Sequence, residues 1–491
     1  MYTWIPLNSS TDLPQLEKHI SPEYGPAHVA KTLADPDGIS SAVKAVLIES
    51  NYNDKDYRST YYQFYAKKGQ GYRADCVRLH FFDGAVTFDE KTLRLSCADS
   101  RDNRVTDHYF GYLVLRPTGS TTIGRTVLTP DIRRGACRLI IAAYHKVHLL
   151  GLTLKVQGFP SMDQHCDIAV CAHAACWSIL RHYSERHNVY REFLTYDITR
   201  MAHEFNPGGL VPSKGLLMAH AERVFQEAGM FPVVVTRGRS GPGDLSFYRQ
   251  LIAYVESGFP LFAAIPRIRH AVAVVGYEWR PAVNTGISGI RHAWDEIKSL
   301  AVVDDNYLPY LSIDRPVGSG LLYGAEDIEG FIVALPEKIF YSADAVYKVA
   351  PTLFKLGLVV GLPPEDESII RYFITTGSAL RRFVRDRETE FDPNLLTEIM
   401  TLPFAQFVWI VEFATEALWA LGKIEGRAVI DATASLTEDM PLWLLHSRTK
   451  ALVFDRQQVG TDTGMKGFEL CDMGHTGFSR MEQNLRPTQT K

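Results

Sequence analysis

The sequence has no apolar run approaching the ~18–20 residues that a bilayer span requires; blocks such as Leu300 to Val303 and Ile332 to Leu335 are strand-sized. It also lacks a secretory start, because MYTWIPLNSSTDLPQLEKHI has neither a basic segment followed by an apolar core nor an Ala-x-Ala-like cleavage site. Membrane insertion and signal-directed export are therefore not expected. Charge of one sign is missing too: 52 basic against 56 acidic residues give a net charge of −4 without a long run of either, which removes nucleic acid as the default partner. Cysteine is scarce. The seven in 491 residues are odd in number, and three crowd between positions 166 and 176, which argues for reduced thiols in a cytoplasm rather than a disulfide framework. There is no internal repeat, and the segment Gly318-Ser-Gly320-Leu-Leu-Tyr-Gly324 misses the dinucleotide-loop spacing by one residue.

What is present is ordinary globular material. Hydrophobic residues make up 46% and charged residues 22%, so most of the chain is expected to fold, and its length implies roughly two to four domains. Residues 1–155 carry short β-rich runs, VRLHFF (77–82), YFGYLVLR (109–116) and RLIIAAYH (138–145), separated by turn residues, and read as an N-terminal β-rich or α+β domain. Residues 156–345 begin with helical spacing, Ile168, Ala172, Ala175, Cys176, Ile179 and Tyr183, in a buried helix starting near Asp167. Helical pattern follows at Leu216–Ala228 and Leu245–Val255, then strands at Pro260–Ile265, Ala271–Tyr277 and Leu300–Val303, with an insertion from Arg280 to Lys298. Residues 346–491 read as a mixed α/β domain, with helical stretches at Ser368–Glu388 and Asn394–Leu421, strands at 427–433 and 450–455, and a polar, mobile tail from Cys471. The overall expectation is an α+β fold.

Chemistry concentrates in the middle region. In QHCDIAVCAHAACWSILRHY (164–183), Cys171 falls in the opening turn of an amphipathic helix, where unpaired N–H groups and the helix dipole favour a thiolate and can hold an oxyanion. A thiolate needs a proton partner. His270, fixed at the start of the apolar run HAVAVVGY with Pro266 stiffening the approach, is the best placed. The next strand ends in Asp304-Asp305-Asn306, any of which could orient the imidazole, since one residue along a strand reverses the side-chain face.

At these residues the chain resembles the papain-like cysteine peptidases, most closely the branch that contains the bacteriocin-processing, double-glycine leader peptidases. Cys171-Ala-His-Ala-Ala through Leu180-Arg-His-Tyr183 is similar to that branch's Cys-Gly-Pro-Ala-Ala helix start. Gly258-Phe-Pro260 with His270-Ala-Val-Ala-Val-Val-Gly-Tyr277 is similar to its Gly-x-Pro and His-x-Val-x-Val-x-Gly-Tyr strands, and Val303-Asp304 to its strand ending in Asp-Pro. The resemblance covers about 190 residues. It implies a papain-like core, a Cys-bearing helix packed on an antiparallel sheet, with a Cys171-His270-Asp304 triad acting on a peptide or protein substrate and no metal or other cofactor. The family's oxyanion-hole glutamine is expected six residues before the cysteine, where this chain has His165, with Gln164 one position away. Ala172 stands where the family has glycine.

Other readings compete for the same residues. Cys176 precedes Trp177, as at the nucleophile of some papain relatives, but a cysteine in an apolar helix is more often a small core residue. Spacings of five place Cys166, Cys171 and Cys176 ~140° apart around a helix, which gives no shared metal geometry. His165, His173 and His182 default to exposed or capping roles, and Cys471 with His475 to the tail. The same triad also serves Cys-dependent acyl transferases, and the altered glycine and glutamine positions fit a papain-like module that binds a peptide or partner without cutting it.

Overall fold

The computed structural model describes residues 1–7, 10–34, 38–39, 41–69, 71–84, 91, 93, 104–119, 122–133, 139–164, 171–202, 216–238, 245–280, 290–315, 321–336, 339–439, 441–456, 464–482 and 485–487. The protein is a mixed helix and strand fold built on three large sheets, antiparallel except for one short parallel pair. Among the described residues no helix is long and apolar enough to cross a membrane.

The first sheet runs in the order 2–6, 43–52, 76–83, 109–115, 123–128, 152–161, 143–149. Strand Ala143–Leu149 alternates buried and exposed residues, the period-2 signature of a half-solvated sheet, whereas Tyr109–Leu115 is buried throughout. The sequence run 138–145 divides here. Leu139–Ile140 leaves this sheet to pair with Gly276–Tyr277 of the second, and only from Ala143 does the chain rejoin the first. Gly276 permits that approach, because a Cβ on it would sit 2.2 Å from the Leu139 carbonyl oxygen.

The second sheet has the order 311–314, 297–303, 270–279, 261–265, 330–335, 231–236, every neighbour antiparallel. Its central strand, His270–Trp279, is buried on both faces, as its nearly unbroken Ala and Val content requires. Helix Cys171–Arg186 packs between this strand and Leu152–Ser161 and is buried almost all round from Ala172 to Tyr183. The helix is also tied to the first sheet's connections: Asp56, buried on helix Lys55–Gln63, accepts from Trp177 Nε1 at 3.0 Å and from Arg181 Nη2 at 3.1 Å.

The third sheet, 291–292, 369–376, 407–414, 426–431, 442–446, 450–454, 465–469, corrects two sequence expectations. Ser368–Glu388 and Asn394–Leu421 are not continuous helices. The first is strand Ile369–Thr376 followed by helix Gly377–Arg385, and the second is helix Pro393–Thr401, strand Phe407–Ala414 and the short helix Glu416–Ala420. Both strands are buried on both faces, so their apolar residues carry no period of two to distinguish them from a buried helix. Described parts of the tail pack against the rest of the chain: Phe478–Ser479 pairs with Lys423–Ile424, Arg486–Pro487 pairs with Leu139–Ile140, and Met481 and Leu485 are buried. Of the segment read as an insertion, 281–289 lies outside the described residues. Arg291–His292 pairs with Ile369–Ile370, and Trp294 is buried and stacked on Tyr248.

One hydrophobic cluster runs from helix Cys171–Arg186 through the second sheet into Ile370, Trp409 and Val411 of the third. The boundary expected at 155/156 falls inside strand Leu152–Ser161, and that at 345/346 inside helix Ala343–Val360.

Candidate functional site

The register of the second sheet determines which residues meet. Ala273 pairs with Val303, so the residues following Val303 run beside those preceding Ala273, and Asp304 arrives next to His270. His270 is aimed by a tight turn: Ile265 pairs with it across the hairpin, Arg269 N–H closes on Pro266 O at 3.0 Å, and Arg269 itself is left-handed at φ 52°. A non-glycine residue in that region is uncommon and costs backbone energy, which fits a position whose geometry is dictated by its neighbour.

His270 Nε2 lies 3.0 Å from Asp304 Oδ2 and 3.7 Å from Asp305 Oδ1, both carboxylates being almost fully buried. Asp304 is in turn fixed from three directions. Tyr323 Oη donates to Oδ2 at 2.5 Å, and the main-chain N–H and side-chain Nδ2 of Asn306 donate to Oδ1, each at 2.9 Å. Of the three candidate orienters in the sequence, Asp304 is thus nearest the imidazole and Asn306 serves the carboxylate rather than the ring.

Cys171, partly exposed at the first described residue of its helix, contacts the same imidazole. With Nε2 on the carboxylates, Nδ1 is the ring nitrogen left for the thiol. Burial pulls the His270 pKa down, but contact with Asp304 and Cys171 and the charges of Asp304 and Asp305 outweigh it and raise it to about 10. Burial raises the Asp304 carboxyl, yet its contacts with His270, Tyr323 and the Asn306 N–H bring it below the usual value. Asp305 goes the other way, pushed up to about 8 by burial and by the Asp304 charge beside it. The result is a ring of raised proton affinity held between Cys171 and an ionised carboxylate.

The rival cysteine is differently placed. Cys176 is wholly buried and its thiol is pushed well up by desolvation, which makes it a packing residue. Among the described residues Cys76, Cys171, Cys176 and Cys471 are free thiols. Gln164 is the last described residue before 165–170. Its carbonyl accepts from Arg116 Nη2 at 3.3 Å, and His165 and Cys166 lie outside the described residues. His173 and His182 are buried, not exposed; burial drives both below the usual histidine value, His182 stacking on Phe159 with centroids 4.8 Å apart. Cys471 and His475 are tied to the third sheet's helices, through Cys471 N–H to Asp392 and His475 to the Glu390 carbonyl.

Tyr323 had no distinguishing signal in the sequence beyond its place in the glycine-bearing segment 318–324. Tyr323→Phe removes one of the donors that keep Asp304 ionised, so the His270 ring is expected to titrate below its value of about 10. NMR of the imidazole against pH measures this, and an unchanged midpoint would show that the phenol does not support the carboxylate.

Comparison of the chain with models of known protein families gives no match, and comparison with curated proteins gives none either.

Proposed function

We propose that this protein is a thiol hydrolase with a papain-like core that cleaves a peptide or isopeptide bond through Cys171, His270 and Asp304. The observation that carries the reading is the contact chain from the partly exposed Cys171 to His270 and on to a buried, triply hydrogen-bonded Asp304. An imidazole with so high a proton affinity takes the thiol proton, leaving a thiolate and imidazolium pair. The thiolate attacks the carbonyl carbon, and the Cys171 N–H, with Gln164 or His165, stabilises the oxyanion. His270 then protonates the leaving amine, and water resolves the acyl-enzyme with His270 as base. Free thiols at all four described cysteines fit a reducing, cytoplasmic setting.

The test is covalent labelling. Iodoacetamide at neutral pH is expected to modify native protein at Cys171, with the buried Cys176 reacting only after denaturation, read by peptide mass spectrometry. If Cys171 stays unmodified in the native protein and is labelled once unfolded, the nucleophile assignment is lost and a peptide-binding module becomes the better reading.

A further inference from the structure

The second carboxylate, Asp305, has no part in the triad, yet it is 6% exposed and its Oδ2 makes no hydrogen bond among the described residues. Burying a carboxyl oxygen without a partner is costly whether the group is ionised or protonated, and such an atom marks a place where another group belongs. His270 Nε2 is likewise without an aligned hydrogen bond, although it lies close to both acids. One donor atom from each of His270, Asp304 and Asp305 falls within 4.8 Å of the others, and the imidazole stands 3.0 Å and 3.7 Å from the two carboxylates. A tetrahedral zinc ion with bonds of ~2.0–2.2 Å to nitrogen and oxygen keeps neighbouring ligand atoms roughly 3.3 Å apart, which these separations bracket.

From this we propose that His270, Asp304 and Asp305 form a binding site for a divalent cation of the zinc class, whose occupancy takes His270 out of proton transfer. One imidazole and two carboxylates make a borderline-hard set suited to zinc. Asn306 already holds Asp304 through its other oxygen, Oδ1, in the manner of the outer partners that orient metal ligands, and Tyr323 donates to Oδ2 itself. The cation displaces to solvent the proton on Nε2 and the proton that the Asp305 carboxyl holds at neutral pH. Nδ1 then keeps its hydrogen and can neither accept the thiol proton nor pass one to a leaving amine, so the ion blocks the cycle without binding the thiol. Cation binding stands independently of the hydrolase reading; only the blocking consequence rests on it.

The experiment is calorimetric titration of zinc ion into untagged wild-type, Cys171→Ala and Asp305→Asn proteins, with zinc-edge X-ray absorption of the loaded wild type. The expected results are equal affinity in wild type and Cys171→Ala, binding roughly 10-fold or more weaker in Asp305→Asn, and a nitrogen and oxygen shell without sulfur. Loss of binding in Cys171→Ala, a sulfur ligand in the absorption spectrum, or unchanged affinity in Asp305→Asn each overturns the site. Because the absorption measurement uses the wild type, a failure of Asp305→Asn to fold leaves the proposal testable. Zinc binding together with an unreactive Cys171 would reject the hydrolase reading and leave this one standing.

Discussion

Cys171→Ala is expected to lower the proposed hydrolysis by roughly 10³-fold or more while leaving the fold and substrate binding intact, since loss of the proposed nucleophile leaves only binding and oxyanion stabilisation. Alanine fits the site because the helix is already lined by Ala172, Ala174 and Ala175. A truncated nucleophile also makes a trap: partners recovered with Cys171→Ala should be found uncut, and the same partners should be cut by the wild type, as read by mass spectrometry. Recovery of identical uncut partners by both would support a binding module. The wild type carries a pH signature as well. The His270 pKa is raised from 6.5 to about 10, so the imidazolium that protonates the leaving group in the proposed mechanism persists through neutrality and is lost as pH rises through about 10. The stability contributed by that proton follows the same course, being fully present below the unfolded value of 6.5 and gone above about 10.

Much of this site could be read from the chain because its parts are local. His270 begins an apolar run, Asp304 ends another, and Cys171 sits among small residues on a helix; each is identified by its immediate neighbours. The pairing of Ala273 with Val303 then needs only adjacent antiparallel strands. Which of Asp304 and Asp305 meets the imidazole, and the part of Tyr323, could not be read in this way. Asp305 differs from Asp304 only in the face it takes at the end of a strand, and Tyr323 reaches Asp304 from 19 residues further along the chain. The third sheet was obscured for a different reason. Ile369–Thr376 and Phe407–Ala414 are covered on both sides, so their sequences are apolar runs without alternation, and a charged residue inside each, Arg371 and Glu412, resembles the polar face of a helix.

Those two charges are the subject of the other large expected effect. Arg371, 1% exposed, pairs through Nε with Glu256 at the end of helix Ser246–Glu256 and through Nη1 with Glu412 Oε2 at 2.7 Å; Glu412 Oε1 in turn accepts from Arg427 Nε at 2.9 Å and from the Met481 N–H at 3.1 Å. The network joins the third sheet to a helix that packs on His270–Trp279, and it anchors the docked tail. Arg371→Met keeps most of the volume but leaves two buried acids short of a cation, so a loss of about 3–5 kcal/mol is expected in urea denaturation. The loss should depend on pH in a definite direction. Burial raises the Glu256 pKa from 4.5 to about 7 even with the opposing pull of Arg371, so this acid's proton contributes stability that is fully present below 4.5 and lost as pH rises through about 7. Without the guanidinium the neutral form is favoured further, and Arg371→Met should therefore be closer to wild type at pH 5 than at pH 8. A deficit equal at both values would mean that the arginine acts through packing, and Glu256→Gln in the Arg371→Met background, which removes one buried charge, would then restore nothing.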